Sequence, residues 1–366
     1  MRTRTALFLL VTLWTPAATG QPSSTITVGL EDFEKAQRIR CQAVTGAFEW
    51  ITVENGQLRA VGALDGIQEI AKTDVGYTVT TKTDEMQASY IILKPAESHD
   101  IIRLISDPTG YRQYAGAVHF YWHANQWHIA LEADLEDYVA GVLVSEVGKG
   151  QAKALYTAHA MVSRTYALNN AERHRVTGYD VCDQVHCQAF DGVSTVDDAI
   201  LMGCRASKHM VLVDRLGRPI PAAFHSNCGG TTRSSARVWQ KASPHLLPVQ
   251  DSACSFGEHA QWERQILHKD WNIWQKDQSA DLDNKTLVRA KLGLPSDRFH
   301  VGDAGDALVL SGRGFGHGVG LCQEGAMERA KKGASPWAIL DTYYQEIWLR
   351  HLSQITAPRA PDVSSK

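Results

Sequence analysis

Residues 312–326 read GRGFGHGVGLCQEGA, and glycine occupies every second position from Gly312 to Gly320. A single histidine, His317, lies among these glycines. Glycine weakens the interior of a strand, and it is retained where the backbone needs a positive φ or where another group approaches closely. The stretch is therefore either a glycine-rich turn or a backbone surface against which a ligand can lie.

Regular elements are predicted on both sides of this stretch. The segment ALVL before it is typical of a strand, and EGAMERAKKG after it is typical of a helix. Further upstream, LEDYVAGVLVSE and QAKALYTAHAMVSRTYAL carry apolar residues at helical spacing, separated by a break at Gly148–Gly150. This arrangement places Glu146 at the end of the first helix, beside the joint between the two.

Residues from Ile26 to about Trp127 are predicted to be rich in β-strands. YTVTTKT and ASYIILK alternate or carry β-branched residues, and Asn55-Gly56 is a hairpin signal. The charged segment from Trp262 to Phe299 is predicted to be a helical insertion. The predicted fold class is α+β, with a β-rich N-terminal part followed by a mixed α/β domain.

Composition and the N-terminus bear on partners and location. The chain has 366 residues and a net charge of -3, which argues against a nucleic-acid binder because such proteins normally carry a basic excess. Arg2 and Arg4 precede an apolar run from Ala6 to Trp14, and small residues follow up to Gly20, as in a secretory signal peptide. The run is shorter than the roughly 20 apolar residues of a membrane span, and a retained N-terminal anchor is the alternative. We expect an exported protein without a transmembrane span.

Glu146 follows a nearly apolar run, GVLVS. A carboxyl group in such surroundings tends to have a raised pKa, which suits a general acid. The alternative is a solvated glutamate at a helix end. No second carboxylate occurs at a recognisable spacing in the sequence, so the paired carboxylates of most glycosidases are not evident.

Seven cysteines are distributed along the chain, and export would allow some of them to form disulfides. Cys228 could pair with Cys254, and Cys322, which has apolar and glycine neighbours, is expected to be buried. Two thiolates and two imidazoles within a short segment suit a tetrahedral zinc ion, with a disulfide between the two cysteines as the alternative. That set is His174, Cys182, His186 and Cys187.

Five motifs in this order resemble the SpoIID/LytB family, the stage II sporulation protein D domain. They are LEDYVAGVLVSEVG, SRTYAL, GYDVCDQVHCQAF, FHSNCGG and GRGFGHGVGLCQEGA. The resemblance extends from about Tyr114 to Trp348. Sporulation members of this family are lytic transglycosylases that cleave the glycan strands of peptidoglycan, whereas other members are described as amidase enhancers or cell-wall binders.

The resemblance implies roles for individual residues. Glu146 matches the catalytic acid of the family. A single carboxyl group is then sufficient, because it first protonates the glycosidic oxygen and then accepts the proton of the sugar's own C6 hydroxyl, which attacks the anomeric carbon. The ligands of a zinc ion that is thought to be structural match His174, Cys182, His186 and Cys187.

A substrate groove is expected along the glycine-rich stretch. Alternating glycines would let an extended saccharide lie against the backbone, with polar contacts from His317 and Gln323. Arg164 and Tyr166 could line the same groove, and His225 could approach from a neighbouring strand end.

The sequence thus predicts an exported, peptidoglycan-active protein of the periplasm or cell-wall space that forms 1,6-anhydro-muramyl ends. The alternative function is a non-catalytic peptidoglycan-binding protein that recruits or enhances a cell-wall amidase. The predicted divisions are a signal peptide (1–20), a β-rich region (21–113), a SpoIID/LytB-like domain (114–352, with the helical insertion at about 260–299) and a flexible tail (353–366).

Overall fold

The computed structural model describes residues 24–54, 57–74, 76–80, 85–107, 109–123, 125–272 and 284–355. The predicted signal peptide, the Asn55-Gly56 hairpin turn and most of the predicted tail lie outside these residues. Within the predicted tail, Ile355 is buried, so ordered chain continues past residue 353. No helix among the described residues has the length and apolar character needed to cross a membrane.

The chain forms two compact units. Unit 1 contains the described residues up to Gly141 together with Asn170–Thr195, and unit 2 contains Val142–Asn169 and the described residues from Val196 onward. The domain boundary expected near residue 114 was drawn from motifs and stays a prediction.

Unit 1 contains a sheet of seven described strands. They are β1 (Thr25–Gly29), β3 (Phe48–Glu54), β4 (Gln57–Ala63), β8 (Tyr90–Pro95), β11 (Ala117–His123), β12 (Gln126–Asp134) and β13 (Val181–Cys182). Their order across the sheet is β13-β1-β12-β11-β8-β3-β4. β1 pairs with β12 in antiparallel and with the short β13 in parallel, so residues 181–182 extend one edge of the sheet.

A second sheet of six described strands packs on the first. They are β2 (Arg38–Ala43), β5 (Ile67–Thr73), β6 (Gly76–Thr80), β7 (Glu85–Ala88), β9 (Ile101–Ser106) and β10 (Gly110–Ala115). Tyr77 of β6 contacts Phe120 of β11, with 5.5 Å between ring centroids. Along β9 the buried residues alternate with less buried ones, as expected for a strand with one face in a core. A short helix, α1 (Glu31–Glu34), follows β1.

Helix α2 (Leu135–Val147) begins in unit 1 and ends in unit 2. Gly148 and Gly150 follow it with φ of 69° and 78°, a conformation that ends a helix at little steric cost only for glycine. Helix α3 (Lys153–Asn169) then runs through the core of unit 2 and is buried along most of its length. The two predicted helices and the break between them are confirmed.

Unit 2 contains further elements, some of which pack on α3. They are α4 (Asp198–Ala206), β14 (Met210–Val213), β15 (Phe224–His225), α5 (Ser235–Trp239), a 3-10 turn (Ser252–Phe256), β16 (Gln261–Leu267), α6 (Lys285–Leu292), β17 (Phe299–Ala304), β18 (Ala307–Arg313), β19 (Leu321–Cys322), α7 (Gln323–Lys331), α8 (Pro336–Tyr343), β20 (Trp348–His351) and a second 3-10 turn (Leu352–Gln354). β14 pairs with β20 in antiparallel, and β15 pairs with β19 in parallel. The parallel pair brings Phe224–His225 beside the end of the glycine-rich stretch.

The predicted helical insertion is wrong for residues 261–267, which form strand β16. β16 and β17 both pair with β18, and α6 supplies Val288 to a small core with Leu294, Phe299 and Leu310. Trp262 and Ile266 are the two less exposed positions of β16. Their spacing of four fits one helix face and also one strand face, so periodicity alone could not separate the two. The α+β fold class is confirmed.

Candidate functional site

Glu146 lies in the last turn of α2, where its side chain is half-buried. Gln323, the first residue of α7, donates its amide Nε2 to Glu146 Oε2 at 3.5 Å. The same amide nitrogen lies 3.3 Å from His159 Nε2 on α3. Gln323 is itself buried, so the tertiary fold brings the GFGHGVGLCQ motif to the predicted catalytic carboxylate.

His159 supports this amide from inside the core. It is fully buried, and burial lowers its pKa to about 4, so the ring is neutral near pH 7. If Gln323 donates to Nε2, the ring proton resides on Nδ1 and points to Ser163 Oγ at 3.1 Å. The tautomer of the His159 ring therefore depends on the orientation of the Gln323 amide. Sequence reasoning missed His159 and Ser163, although their i, i+4 spacing on a predicted helix was a usable signal.

His225 and His317 form a second polar group in unit 2. Their ring centroids are 5.5 Å apart, and Trp239 packs 5.1 Å from His317. Burial, together with the repulsion of His317, lowers the pKa of His225 to about 3. Burial and the nearby Arg289 charge lower the pKa of His317 to about 4. Both rings are therefore neutral near pH 7.

One ring nitrogen of His225 lacks a hydrogen-bond partner among the described residues. Its Nδ1 donates to the Val319 carbonyl oxygen at 3.1 Å, which leaves Nε2 as an acceptor. Within the described part of the chain, that buried Nε2 has no hydrogen-bond partner. Trp239 and Phe315, which lie beside and within the glycine-rich stretch, are 45% and 37% exposed. Sequence reasoning did not select these two aromatic side chains.

Arg164 and Tyr166 differ in their surroundings. Arg164 is fully buried, and its Nη1 donates to the Met210 carbonyl oxygen at 2.9 Å and to Ala160 at 3.4 Å. The bond to Met210 links α3 to β14, which favours a structural role for the guanidinium. Tyr166 is half-buried and lies 6.1 Å from the ring of Phe224. The predicted contact of either side chain with a saccharide stays a prediction.

The glycine-rich stretch has a structural explanation within the protein. Gly314, Gly316, Gly318 and Gly320 all have positive φ, between 74° and 99°. A Cβ at Gly320 would lie 2.0 Å from the Ala223 carbonyl oxygen, and one at Gly314 would lie 2.7 Å from the Asn227 carbonyl oxygen. The missing side chains therefore leave room for residues 223–233 rather than a bare backbone surface for a saccharide. The interpretation of this stretch as a glycine-rich turn therefore fits the structure, and its contact with a saccharide stays a prediction.

A cavity of about 680 Å³ in unit 2 lies elsewhere. Its lining includes Ser252, Phe256, Arg329 and Lys332. Neither Glu146 nor Gln323 lines this cavity. It is therefore not the groove expected along the glycine-rich stretch, and that groove stays a prediction.

In unit 1, the four predicted metal ligands lie together, and we call them the unit 1 cluster: His174, Cys182, His186 and Cys187. Their ligand atoms all lie within 4.8 Å of one another, and both cysteines are thiols. His174 Nε2 lies 3.3 Å from Cys187 Sγ, and His186 Nδ1 lies 3.7 Å from the same sulfur. The pairing of β13 with β1 anchors Cys182 in this cluster. These residues could hold a metal ion.

Comparison with known proteins identifies a family similar to part of this chain. Residues 123–213 match the family model described as SpoIID, stage II sporulation protein. This match supports membership of the SpoIID family. The matched segment contains Glu146 and the unit 1 cluster, whereas Gln323, His225 and His317 follow it.

Three proteins similar to this chain align with it over about three quarters of their own length. Stage II sporulation protein D of Bacillus subtilis is 26% identical over 254 residues, which are 58% of this chain and 73% of that protein. The protein of the same name from Bacillus amyloliquefaciens is 24% identical over 60% of this chain and 75% of its own length. An uncharacterised protein of Brachyspira hyodysenteriae is 24% identical over 69% of this chain and 76% of its own length.

Proposed function

We propose that this chain is an exported lytic transglycosylase that cleaves peptidoglycan glycan strands to 1,6-anhydro-muramyl ends, with Glu146 as its catalytic residue. The observation that carries the proposal is the hydrogen bond between Gln323 and Glu146, which are 177 positions apart. It joins two motifs of the SpoIID resemblance at one carboxyl group. The similarity to the SpoIID family supports an activity on the cell wall.

The chain offers Glu146 what a single acid and base requires. Glu146 is half-buried at the end of α2, so part of its side chain lies against the core and part is exposed to solvent. Gln323 donates a hydrogen bond to Oε2 and so favours the proton on the other oxygen, Oε1. From there the proton would pass to the glycosidic oxygen, and Glu146 would then accept the proton of the C6 hydroxyl.

Sugar contacts are proposed for His225 and His317. The acceptor Nε2 of His225 is suited to a sugar hydroxyl because it has no partner within the described protein. Trp239, which packs on His317, and Phe315, which stacks on His259, are exposed aromatic side chains, and such side chains commonly line ligand sites. Direct contact of Arg164 with the saccharide has less support because its guanidinium is buried against the backbone.

The unit 1 cluster is proposed to bind a structural zinc ion. Zinc bonds of about 2.3 Å to sulfur and about 2.1 Å to nitrogen separate tetrahedral ligands by about 3.6 Å. The observed sulfur–nitrogen separations of 3.3, 3.7 and 3.8 Å fall around that value. Bound there, zinc would cross-link His174 to the segment around β13. No step at Glu146 needs the ion.

The decisive experiment is a digest of purified, peptide-stripped glycan strands, with products read by mass spectrometry. The wild-type chain should release products with anhydro-muramyl ends, which are lighter by one water than hydrolysis products. Glu146→Gln should lower that activity by a factor of about 100 or more, because it removes the acid and base but keeps the shape of the side chain.

Glu136→Gln is the matched control, because Glu136 lies on the same helix and is also half-buried. Ten residues separate it from Glu146, which corresponds to about 15 Å along an α-helix. Its activity should stay close to wild type. Products with ordinary reducing ends would contradict the transglycosylase. Intact strands that remain bound by both proteins would favour the alternative, a binding protein that recruits or enhances an amidase.

A further inference from the structure

A second group of potential ligands lies in the core of unit 2, and we call it the unit 2 cluster: Cys228, Asp251, Cys254 and Cys322. All four residues are buried, and their ligand atoms lie within 4.8 Å of one another. Cys228 follows β15, Cys322 ends β19, and Cys254 lies in the 3-10 turn Ser252–Phe256. Three separate segments therefore deliver one sulfur each to the same point.

The separations between these atoms suit a metal ion. Cys228 Sγ lies 3.3 Å from Cys254 Sγ and 3.8 Å from Asp251 Oδ2. Tetrahedral zinc would separate two sulfurs by about 3.8 Å and a sulfur from an oxygen by about 3.6 Å. All three cysteines are thiols, and 3.3 Å is far longer than a disulfide bond. The remaining separations within the cluster are all below 4.8 Å.

Backbone amides point at two of the sulfurs. The amide of Cys228 donates to Cys322 Sγ at 3.3 Å, and the amide of Gly230 donates to Cys254 Sγ at 3.1 Å. Donors directed at sulfur favour the thiolate form that binds metals. The Gly-Gly turn after Cys228 supplies one of these amides, with φ of 60° at Gly229 and 96° at Gly230.

We propose that Cys228, Cys254, Cys322 and Asp251 bind a second zinc ion in the core of unit 2. The ligand set is three soft sulfurs and one carboxylate oxygen, which zinc accepts in closed structural sites. Binding releases the three thiol protons and forms three zinc–sulfur bonds and one zinc–oxygen bond. The proposal is independent of the reaction at Glu146.

Asp251 is positioned as a carboxylate ligand should be. Its Oδ1 accepts from Arg329 Nη2 at 2.7 Å, and its Oδ2 accepts from the Tyr343 hydroxyl at 2.7 Å. These bonds fix the carboxylate while a second lone pair of Oδ2 still faces Cys228. Hydrogen bonds from outer groups normally orient metal ligands in this way. The Arg329 charge also offsets part of the negative charge of the ligand set.

The alternative state of the cluster is a Cys228–Cys254 disulfide. It would leave the third sulfur, Cys322, as a buried thiol beside the bond, whereas a metal ion would use all three sulfurs. The metal also connects the parallel pair β15–β19 to the Ser252–Phe256 turn. Since Gln323 directly follows Cys322, the ion would fix the start of α7, where the contact to Glu146 is made.

The test is the zinc content of the full chain, purified after export without added reductant. By inductively coupled plasma mass spectrometry we expect about two zinc ions per wild-type chain and about one per chain of the Cys322→Ser variant. Cys187→Ser should also lose one ion, from the other cluster. Cys204→Ser is the matched control, because Cys204 is a buried unit 2 cysteine outside the cluster, and it should retain both ions.

Two measurements on the wild-type chain keep the proposal testable if a variant does not fold. Cobalt exchanged into both sites should give sulfur-to-cobalt absorption for five thiolates in total, three from unit 2 and two from unit 1. After denaturation with chelator, all seven cysteines should react with an alkylating reagent. One zinc per chain with two cysteines protected from alkylation, mapped to Cys228 and Cys254, would overturn the proposal in favour of the disulfide. Unchanged zinc content in Cys322→Ser would overturn it as well.

Discussion

The two cysteine clusters are assembled in opposite ways. The four ligands of the unit 1 cluster lie within residues 174–187, and His186 is exposed. In the unit 2 cluster, Cys228 and Cys322 are 94 positions apart, and all four ligands are buried. A cluster whose ligands lie in one short segment depends mainly on the conformation of that segment. A cluster formed by distant segments exists only when the surrounding core has folded.

Burial should also separate the two clusters kinetically. A chelator can approach the unit 1 cluster beside the exposed His186, but it reaches the unit 2 cluster only when the core opens locally.

Removal of the metal ions should therefore have the largest effect on the stability of the protein, compared with the substitutions that follow. With zinc bound at both clusters, release to a chromogenic chelator should occur in two phases, the slower at least about ten times slower than the faster. Because metal binding free energy is folding free energy, the slow phase should coincide with a loss of unit 2 stability. Stopped-flow absorbance and circular dichroism would measure both. Release of both ions in one phase would remove the kinetic contrast between the clusters.

The second prediction concerns the glycine that lets β19 approach β15. Gly320→Ala should lower the free energy of unfolding by about 3 kcal/mol, because a left-handed φ and a clash with the backbone add together. The φ is 74°, and the new Cβ would lie 2.0 Å from the Ala223 carbonyl oxygen. Urea denaturation would measure the change. Zinc content should fall at the unit 2 cluster only, since Gly320 lies near Cys322.

Gly333→Ala is the control for backbone strain alone. Gly333 also has a positive φ, 86°, but nothing lies within 4 Å of the position of its Cβ. It should lose about 1 kcal/mol. Equal losses for Gly320→Ala and Gly333→Ala would mean that the close approach of the two strands is not what requires glycine.

The third prediction is a loss of unit 2 stability in mild acid. Burial depresses the pKa of both His159 and His317 to about 4, compared with about 6.5 in an unfolded chain. Between those values the unfolded state binds protons that the folded state does not. Stability is therefore complete above pH 6.5 and falls as the pH drops toward 4, by about 1.4 kcal/mol per pH unit for each histidine.

Carboxylates also titrate as the pH falls toward 4. A histidine substitution therefore separates the contribution of one histidine to the pH dependence of the free energy of unfolding from that of the carboxylates. The free energy of unfolding of His317→Gln, measured between pH 7 and pH 4.5, should depend less steeply on pH than that of the wild type by about one proton. An unchanged slope would show that His317 is protonated in the folded protein at these pH values.

Local features were predictable from particular residues. Apolar spacing predicts α2 and α3, and the glycines after Val147 predict the break between them. The residues on either side of the glycine-rich stretch predict the strand β18 and the helix α7. The helical prediction is wrong for residues 261–267, where the spacing of four between Trp262 and Ile266 fits a strand face as well as a helix face. Arg164 is expected at a groove because it lies on a helix beside Tyr166; its side chain is buried, and its contact with a saccharide stays a prediction.

By itself, the sequence determined the unit 1 cluster and the place of Glu146 at a helix end, because both depend on spacings of a few residues along one segment. Only the tertiary structure decided that Gln323 and His159 meet at Glu146 and that Cys322 joins Cys228 and Cys254. It also decided that the alternating glycines face residues 223–233. These contacts join segments far apart in the chain, and their partners are selected by packing rather than by any local pattern.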